Sequence, residues 1–324
     1  MIKSTNKKII LVGDFSINQF YHGIINRIAR DAPVPIVDVT YSEAFLGTAG
    51  TIVERLTKLG ARNVIPVGVI GNDIPGKLIR ERLAKLKINT SRILETKRKT
   101  PQISRVMVNN IQTARFDEIF GERLDETITK KMNKIITDEL KNTRLIIIAD
   151  YGLSTINHKI IEHIIRESER RKVNVLITSV GYNYLMYKGH HTIIKINLEN
   201  SALLIKEPQI NKISSHSICS KLSDILQSNQ ILLTRGERGI AIYDGNTTIE
   251  MPATENTKVD IKDIGETMTA VMGMSLVNSI DFHEACKLGN IAAGIAVSKS
   301  STDTISLNDI RKAKSKYEEW LEEK

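Results

Sequence analysis

Two carboxylates and a single glycine, Asp263-Ile264-Gly265-Glu266, stand directly before the apolar run Met268 to Val277, within the longer stretch that starts at Asp260. A loop that opens a helix presents backbone N–H groups without carbonyl partners, and these attract phosphate. A carboxylate in the first turn can also take the proton of an attacking hydroxyl. Glu266 is therefore a candidate general base and Gly265 a candidate donor to developing negative charge. Such a loop normally wants several glycines, so that backbone can approach phosphate without a Cβ in the way. Asp263 does the reverse, adding a side chain and an anion where negative charge has to be stabilised.

Other segments carry weaker signals. Gly71-Asn-Asp-Ile-Pro-Gly76-Lys77 is nearly a phosphate-binding P-loop, but Leu78 stands where Ser or Thr would hold magnesium, and Pro75 removes an N–H. A turn and helix start is the simpler reading. Thr234-Arg235-Gly236-Glu237-Arg238-Gly239 joins a strand to a hairpin. It reads either as a glycine turn with solvated charges or as a ligand loop in which Thr234 or Arg235 touches phosphates. Gly289-Asn290-Ile-Ala-Ala-Gly294 lets a helix pack closely or lets a flat base lie against it. His190-His191 and the other histidines lack metal-ligand spacing. No G-x-S-x-G elbow supports serine catalysis, and no G-x-G-x-x-G follows a strand.

These residues need a scaffold, and the apolar pattern supplies one. Short buried runs at Lys8–Val12, Asn63–Val69, Leu145–Ala149, Val173–Thr178, Ile193–Ile196 and Ile231–Thr234 alternate with amphipathic helices, which implies a parallel sheet covered on both faces. The helices are expected at Ala49–Leu59, Ile74–Leu86, Asp125–Leu140, Ile156–Arg171, Ser217–Leu226, Glu266–Val277, His283–Ser298 and Leu307–Glu322. A strand at Val34–Val39 and a hairpin at Ile103–Asp117, turning at Asn109-Asn110, interrupt the alternation. They suggest a small β-lid made from segments at about 15–45 and 97–120 on one domain spanning 1–324.

The 324 residues, 41% hydrophobic and 26% charged, suit a soluble α/β protein. No apolar run approaches the roughly 20 residues of a membrane helix, and the polar start Met1–Lys8 shows no secretory signal. Cys219 and Cys286 have neither metal nor redox spacing and read as reduced thiols, hence a cytoplasmic protein. The net charge of +9, from 46 Lys+Arg against 37 Asp+Glu, is scattered over small clusters, and aromatics are only 5%. That argues against a nucleic-acid partner, which would want a dense basic stripe interleaved with aromatics.

In their order along the chain, the motifs resemble those of the ribokinase family, the PfkB-type carbohydrate kinases. The carrying segments are Ile10-Leu-Val-Gly-Asp14 through Tyr21, Arg27-Ile28 and Ala32-Pro-Val-Pro-Ile36. Leu59-Gly60-Ala61, Val67-Gly68-Val-Ile-Gly71-Asn-Asp73, Asp150-Tyr151-Gly152, Asn197-Leu198, Thr234-Arg235-Gly236 and Asn290-Ile-Ala-Ala-Gly294 follow. Within the family the pattern is most similar to heptose-7-phosphate kinase domains. The resemblance implies a three-layer α/β/α sandwich with a β-lid. ATP would lie along Asn197, Thr234, Arg235, Gly236, Gly239 and Asn290, with magnesium neutralising its phosphates. A sugar or sugar phosphate would sit under the lid near Asn18, Gly47, Gly50 and Arg105, and two copies would pair through the lid.

Against that pattern the sequence shows a run of losses. The sugar-binding acid is matched by the neutral Asn18. The Gly-Gly-Ala-Ala-Asn helix start is matched by Leu46-Gly47-Thr48-Ala49-Gly50. Leu153 replaces a lysine, and Asp-Pro-Lys-Gly becomes Thr178-Ser179-Val180-Gly181. Asn-x-x-Glu keeps Asn197 but has Asn200 for the glutamate. Gly-Ala-Gly-Asp becomes Asp263-Ile264-Gly265-Glu266. The extra methylene of Glu266 moves the base by about an ångström, a shift that can cost roughly a hundredfold in rate. Losing one anion-stabilising donor costs about 2.7–4 kcal/mol. Two outcomes follow. One is a pseudokinase that binds a partner or a nucleotide, or has no cofactor. The other is a working ATP- and Mg2+-dependent sugar kinase with Glu266 as base.

Overall fold

The computed structural model describes residues 2–189, 191–254, 263–298 and 305–322. His190, of the histidine pair, and Asp260, at the head of the acidic stretch, lie outside these. The chain builds a nine-stranded sheet in the order β13-β12-β11-β10-β9-β8-β1-β4-β5. Its strands are β1 (Lys8–Gly13), β4 (Val64–Gly71), β5 (Ile93–Thr96), β8 (Thr143–Ala149), β9 (Asn174–Thr178), β10 (Thr192–Asn197), β11 (Gln230–Thr234), β12 (Ile240–Tyr243) and β13 (Thr248–Met251). From β5 to β11 all neighbours are parallel, and β12 and β13 complete the edge as an antiparallel hairpin.

Strands buried on both faces read as continuous apolar runs, and for that reason they were visible in the sequence. Alternate residues feed two cores. Ile9, Leu11, Leu145, Ile147 and Ile193 face α1 (Thr48–Lys58), α7 (Ile264–Val277) and α8 (Phe282–Ser298). Ile10, Val12, Ile146, Ile148 and Ile194 face α3 (Glu126–Glu139), α4 (His158–Arg171) and α6 (Ser215–Leu226). The remaining helices are α2 (Ile74–Lys85), α5 (Leu198–Ile205) and α9 (Leu307–Glu322). The near-P-loop is the start of α2: Asp73 caps it by accepting from Gly76 N at 2.9 Å, with Pro75 in the first turn.

A second sheet has the order β3-β2-β6-β7, from β2 (Phe15–Ile28), β3 (Pro35–Gly47), β6 (Gln102–Val108) and β7 (Ile111–Glu118). Asn109 and Asn110, at φ +51° and +64°, make the β6–β7 turn, as a tight hairpin requires. The fourteen-residue β2 was not legible from the sequence, and β3 is far longer than Val34–Val39. Most of β2 beyond Gly23 is exposed, with Ile24, Ile25 and Ile28 facing outward, so no apolar-in, polar-out alternation marks it. Helix α5, also unexpected, starts at Asn197, whose side chain accepts from Asn200 N.

Candidate functional site

The corner expected from the sequence to meet phosphate forms where α7 meets the carboxyl edge of the large sheet. Asp263 takes the left-handed conformation, φ +58°, and begins α7 without capping it through its side chain. Thr267 N is the first amide to reach back, to Asp263 O. The N–H groups of Ile264, Gly265 and Glu266 therefore have no helical carbonyl behind them. Asp263 and Glu266 both face this positive helix end. Burial, and then Glu266, push the Asp263 carboxyl up to about 7, although Arg55 on α1 and Arg105 on β6 oppose the rise.

A cation not singled out in the sequence stands beside this turn. Lys195 lies two residues before Asn197, so both project from one face of β10. Its Nζ is 3.5 Å from where a Cβ on Gly265 would stand, and 3.3 Å from Thr178 Oγ1. The residue keeps some accessible surface. Its ammonium is nevertheless enclosed enough that burial pulls its pKa below the usual lysine value, and Glu266 opposes that pull. The Tyr184 hydroxyl holds the strand here, donating to Lys195 O at 2.7 Å. The only sequence signal for Lys195 is a charge inside an otherwise apolar strand.

Glu266 also meets Tyr151, whose phenol is raised well above its usual pKa by burial and by that carboxylate. Tyr151 is set in place by the buried Asp14 at the end of β1. Asp14 Oδ2 accepts from Tyr151 N (2.8 Å) and Leu153 N (3.0 Å), and Oδ1 accepts from Thr155 N (3.0 Å). Arg98 binds the carbonyls of Leu153 and Ser154. Burial and the neighbouring Asp150 raise the Asp14 pKa. Asp150 is itself tied to Ser179 Oγ, Asn183 Nδ2 and Tyr187 OH.

The residues expected on the sugar side gather at the junction of the two sheets. Arg105 Nη1 donates to Asn18 Oδ1 at 3.2 Å, and its guanidinium lies 5.4 Å over Phe20. A Cβ on Gly47 would stand 2.3 Å from Ser16 Oγ, so any larger residue there would have to displace the buried Ser16 hydroxyl from its contact with Thr48. Gly50 packs on Leu46. Between them Thr48 holds φ +48°, an outlier for a β-branched residue. Its hydroxyl bonds Asp14 O and faces Ser16 Oγ.

On the opposite side Asn197 and Thr234 are paired across β10 and β11. Gly236 and Gly239 both have positive φ, and a Cβ on Gly239 would lie 2.1 Å from Met251 O. Arg235, expected to touch phosphates, is turned onto its own loop: it pairs with Glu250 at 2.6 Å and bonds Ser215 Oγ and the carbonyls of Arg238 and Ile240. Asn290 Nδ2 donates to Pro252 O at 2.8 Å. Next to it a cavity of about 210 Å³ is lined by Thr254, Ile291, Ile295, Lys316 and Tyr317, among others. Among the described residues Thr254 Oγ1 is buried there without a partner.

The profile of the pfkB family of carbohydrate kinases matches residues 17–309. The chain belongs to that family. It is 31% identical over 311 residues to the bifunctional protein HldE of Aliarcobacter butzleri, an alignment covering 95% of this chain and 64% of that one. The HldE of Helicobacter pylori is 30% identical over 312 residues, covering 94% and 65%. The chain thus spans less than two thirds of these relatives' length. Escherichia coli phosphofructokinase-2 in complex with fructose-6-phosphate superposes with a TM-score of 0.77 at 13% identity, covering 97% of this chain and all of the other. Arabidopsis thaliana ribokinase complexed with ribose and ATP gives 0.71 at 15% identity, covering 95% and 99%. At such identities the likeness speaks for the fold, which is the ribokinase-like α/β fold expected from the sequence.

One metal-organising position implied by the resemblance has changed. Magnesium wants carboxylate oxygens and water in octahedral array. Asn200 offers an amide instead of a carboxylate, and its Oδ1 already accepts from Gly181 N at 2.9 Å. Asn197 Oδ1 is held by Asn200 N at 2.8 Å. Among the described residues no three His, Cys, Asp or Glu side chains converge. The carboxylates at the corner are Asp263 and Glu266, at the start of α7, while the position where the resemblance implies a glutamate holds Asn200. No helix among the described residues is long and apolar enough to cross a membrane.

Proposed function

We propose that this pfkB-family protein retains the nucleotide-binding edge of a carbohydrate kinase but does not turn over: a pseudokinase that acts by binding. One observation carries the reading. Asp263 and Glu266 stand at the same helix end, Asp263 in the left-handed N-cap position without a capping bond, and burial, then Glu266, push the Asp263 carboxyl up to about 7. A triphosphate brought to that end would meet a second carboxylate beside the amides of Ile264, Gly265 and Glu266, which sets repulsion against the donors that stabilise the transition state. The neutral Asn18 and the Asn197–Asn200 pair, tied up in capping α5 and holding Gly181, point the same way. The base would lie at Glu266, the nucleotide along Asn197, Thr234, Gly236, Gly239 and Asn290, and Arg235 would shape the loop.

A second reading is favoured by the contacts of Glu266. Tyr151 and Lys195 both address it, and a base one methylene too long could be held productively by such partners. In that case the chain would be an ATP-dependent kinase of a sugar or sugar phosphate, of the heptose-phosphate class that the resemblance suggests, with Glu266 as base. The deciding measurement is ADP release from ATP with heptoses, hexoses and their phosphates. The pseudokinase reading expects no release above background, and robust turnover of any one sugar ends it. We also propose a cytoplasmic homodimer formed through the second sheet, where Ile28, Val39, Tyr41, Ile111 and Phe116 are exposed. Covering such apolar area is the usual reason for association.

A further inference from the structure

The loops that follow β7, β8 and β9 enclose a cavity of about 610 Å³, away from the corner at α7. Its apolar lining, Leu124, Ile156 and Met186, belongs to the core shared with α3 and α4, whereas α7 packs into the opposite core. The volume lies within the range of small-molecule sites, about 300–1,000 Å³. Both acids on its wall are already compensated. Asp150 accepts from Gly152 N, Ser179 Oγ, Asn183 Nδ2 and Tyr187 OH, and Glu126 pairs with Lys159 at 2.6 Å. The basic side is not balanced in the same way. Arg123, on the wall, has no hydrogen bond or ion pair among the described residues. The Lys159–Glu126 pair is exposed on both sides, and such pairs are weak, so the ammonium can turn to an incoming anion. Asn157 takes up the amides of Ile160 and Ile161, which leaves the N–H groups of His158 and Lys159 without a helical carbonyl behind them. Beside these donors, the Ser154 hydroxyl and the Asn183 side chain line the same space. We propose that this cavity binds a phosphomonoester of a small polyol. The phosphate lies against Arg123, Lys159 and the start of α4, the hydroxyls against Ser154 and Asn183, and the carbon chain over Ile156 and Met186. A guanidinium fork suits phosphate oxygens in geometry as well as charge. This binding and the nucleotide edge at Asn197 and Thr234 do not depend on each other.

The test is calorimetric binding of inorganic phosphate, glucose 6-phosphate and glucose to the full chain, without nucleotide, at about 0.15 M sodium chloride so that loose attraction to exposed charge is screened. The expected result is binding of glucose 6-phosphate, weaker binding of phosphate, and glucose weakest of the three. Arg123→Ala should weaken the ester by about tenfold or more, the range of a hydrogen bond to a charged group, and Arg123→Lys should recover part of the loss. Lys159→Met should weaken it as well. Both side chains are exposed, so neither variant threatens the fold. In amide nitrogen–proton spectra the resonances of His158 and Lys159 should move with ester concentration and saturate at the calorimetric affinity. Glucose binding as tightly as its phosphate ester overturns the proposal, because the phosphate would then not be recognised. Ester binding that Arg123→Ala leaves unchanged, or spectral shifts confined to the surroundings of Arg105 and the start of α7, also overturns it by placing the ligand on the sugar side. No binding of phosphate or ester refutes it outright, and leaves the reading of the α7 corner as it stands.

Discussion

Asp263→Asn isolates the charge conflict at the start of α7. The native carboxyl titrates at about 7 instead of 3.8 because it is buried and faces Glu266. The folded protein therefore holds this proton more tightly than the unfolded chain does, and stability falls as pH rises between the two values. At 1.36 kcal/mol per pH unit, a displacement from 3.8 to about 7 is worth about 4 kcal/mol, reached in full above pH 7. An amide keeps the shape and does not titrate. The variant should gain little on the native chain at the acid end, and the gap should widen by about 2 kcal/mol between about pH 5 and 7, then level off. Urea denaturation at about pH 5, 7 and 9 reads this directly as a growing difference in midpoint at constant slope. A gap that does not change with pH, or a variant less stable than the native chain at alkaline pH, would mean that the carboxylate is adequately paired, and the electrostatic case against turnover would fail with it.

Other outcomes test other parts of the molecule. Asp14→Asn should destabilise the fold by about 1–3 kcal/mol, since one of its three accepted N–H bonds then faces an NH2 group. Hydrogen exchange at Tyr151, Leu153 and Thr155 should quicken more than in the β-strand cores. Gly239→Ala should cost upwards of about 1 kcal/mol in thermal or chemical denaturation, because its φ is +79° and the new Cβ would run into Met251 O. Phe116→Glu on the exposed face of β7 should shift a dimer toward monomer in sedimentation velocity without altering the far-ultraviolet spectrum. If ATP consumption is found with any sugar, Glu266→Ala should abolish it.

Much of the fold was legible in advance. The parallel strands are apolar along their whole length because both faces are covered, and Asp73, Asp125 and Asn157 mark helix starts by capping them. The second sheet was only half visible. The outer part of β2 has no buried face to impose a period of two, so Ile24 and Ile28 look no different from residues of a loop. The losses in the candidate site were also plain, because they are changes of residue type: an amide at Asn18, an amide at Asn200, an anion at Asp263.

What the sequence by itself determined about this protein is the set of chemical groups available and the local elements that carry them, since both follow from side-chain type and short-range periodicity. Tertiary structure alone decided which charges meet. Lys195 and Gly265 are far apart in the chain, and they come together only because β9 and β10 are adjacent and α7 starts over their carboxyl ends. Asp14 reaches the 151–155 loop only because β1 lies beside β8. Arg235, which by residue type suits phosphate, is drawn into its own turn by Glu250 across the β-hairpin. Electrostatic energy depends on distance and burial, and strand order fixes both.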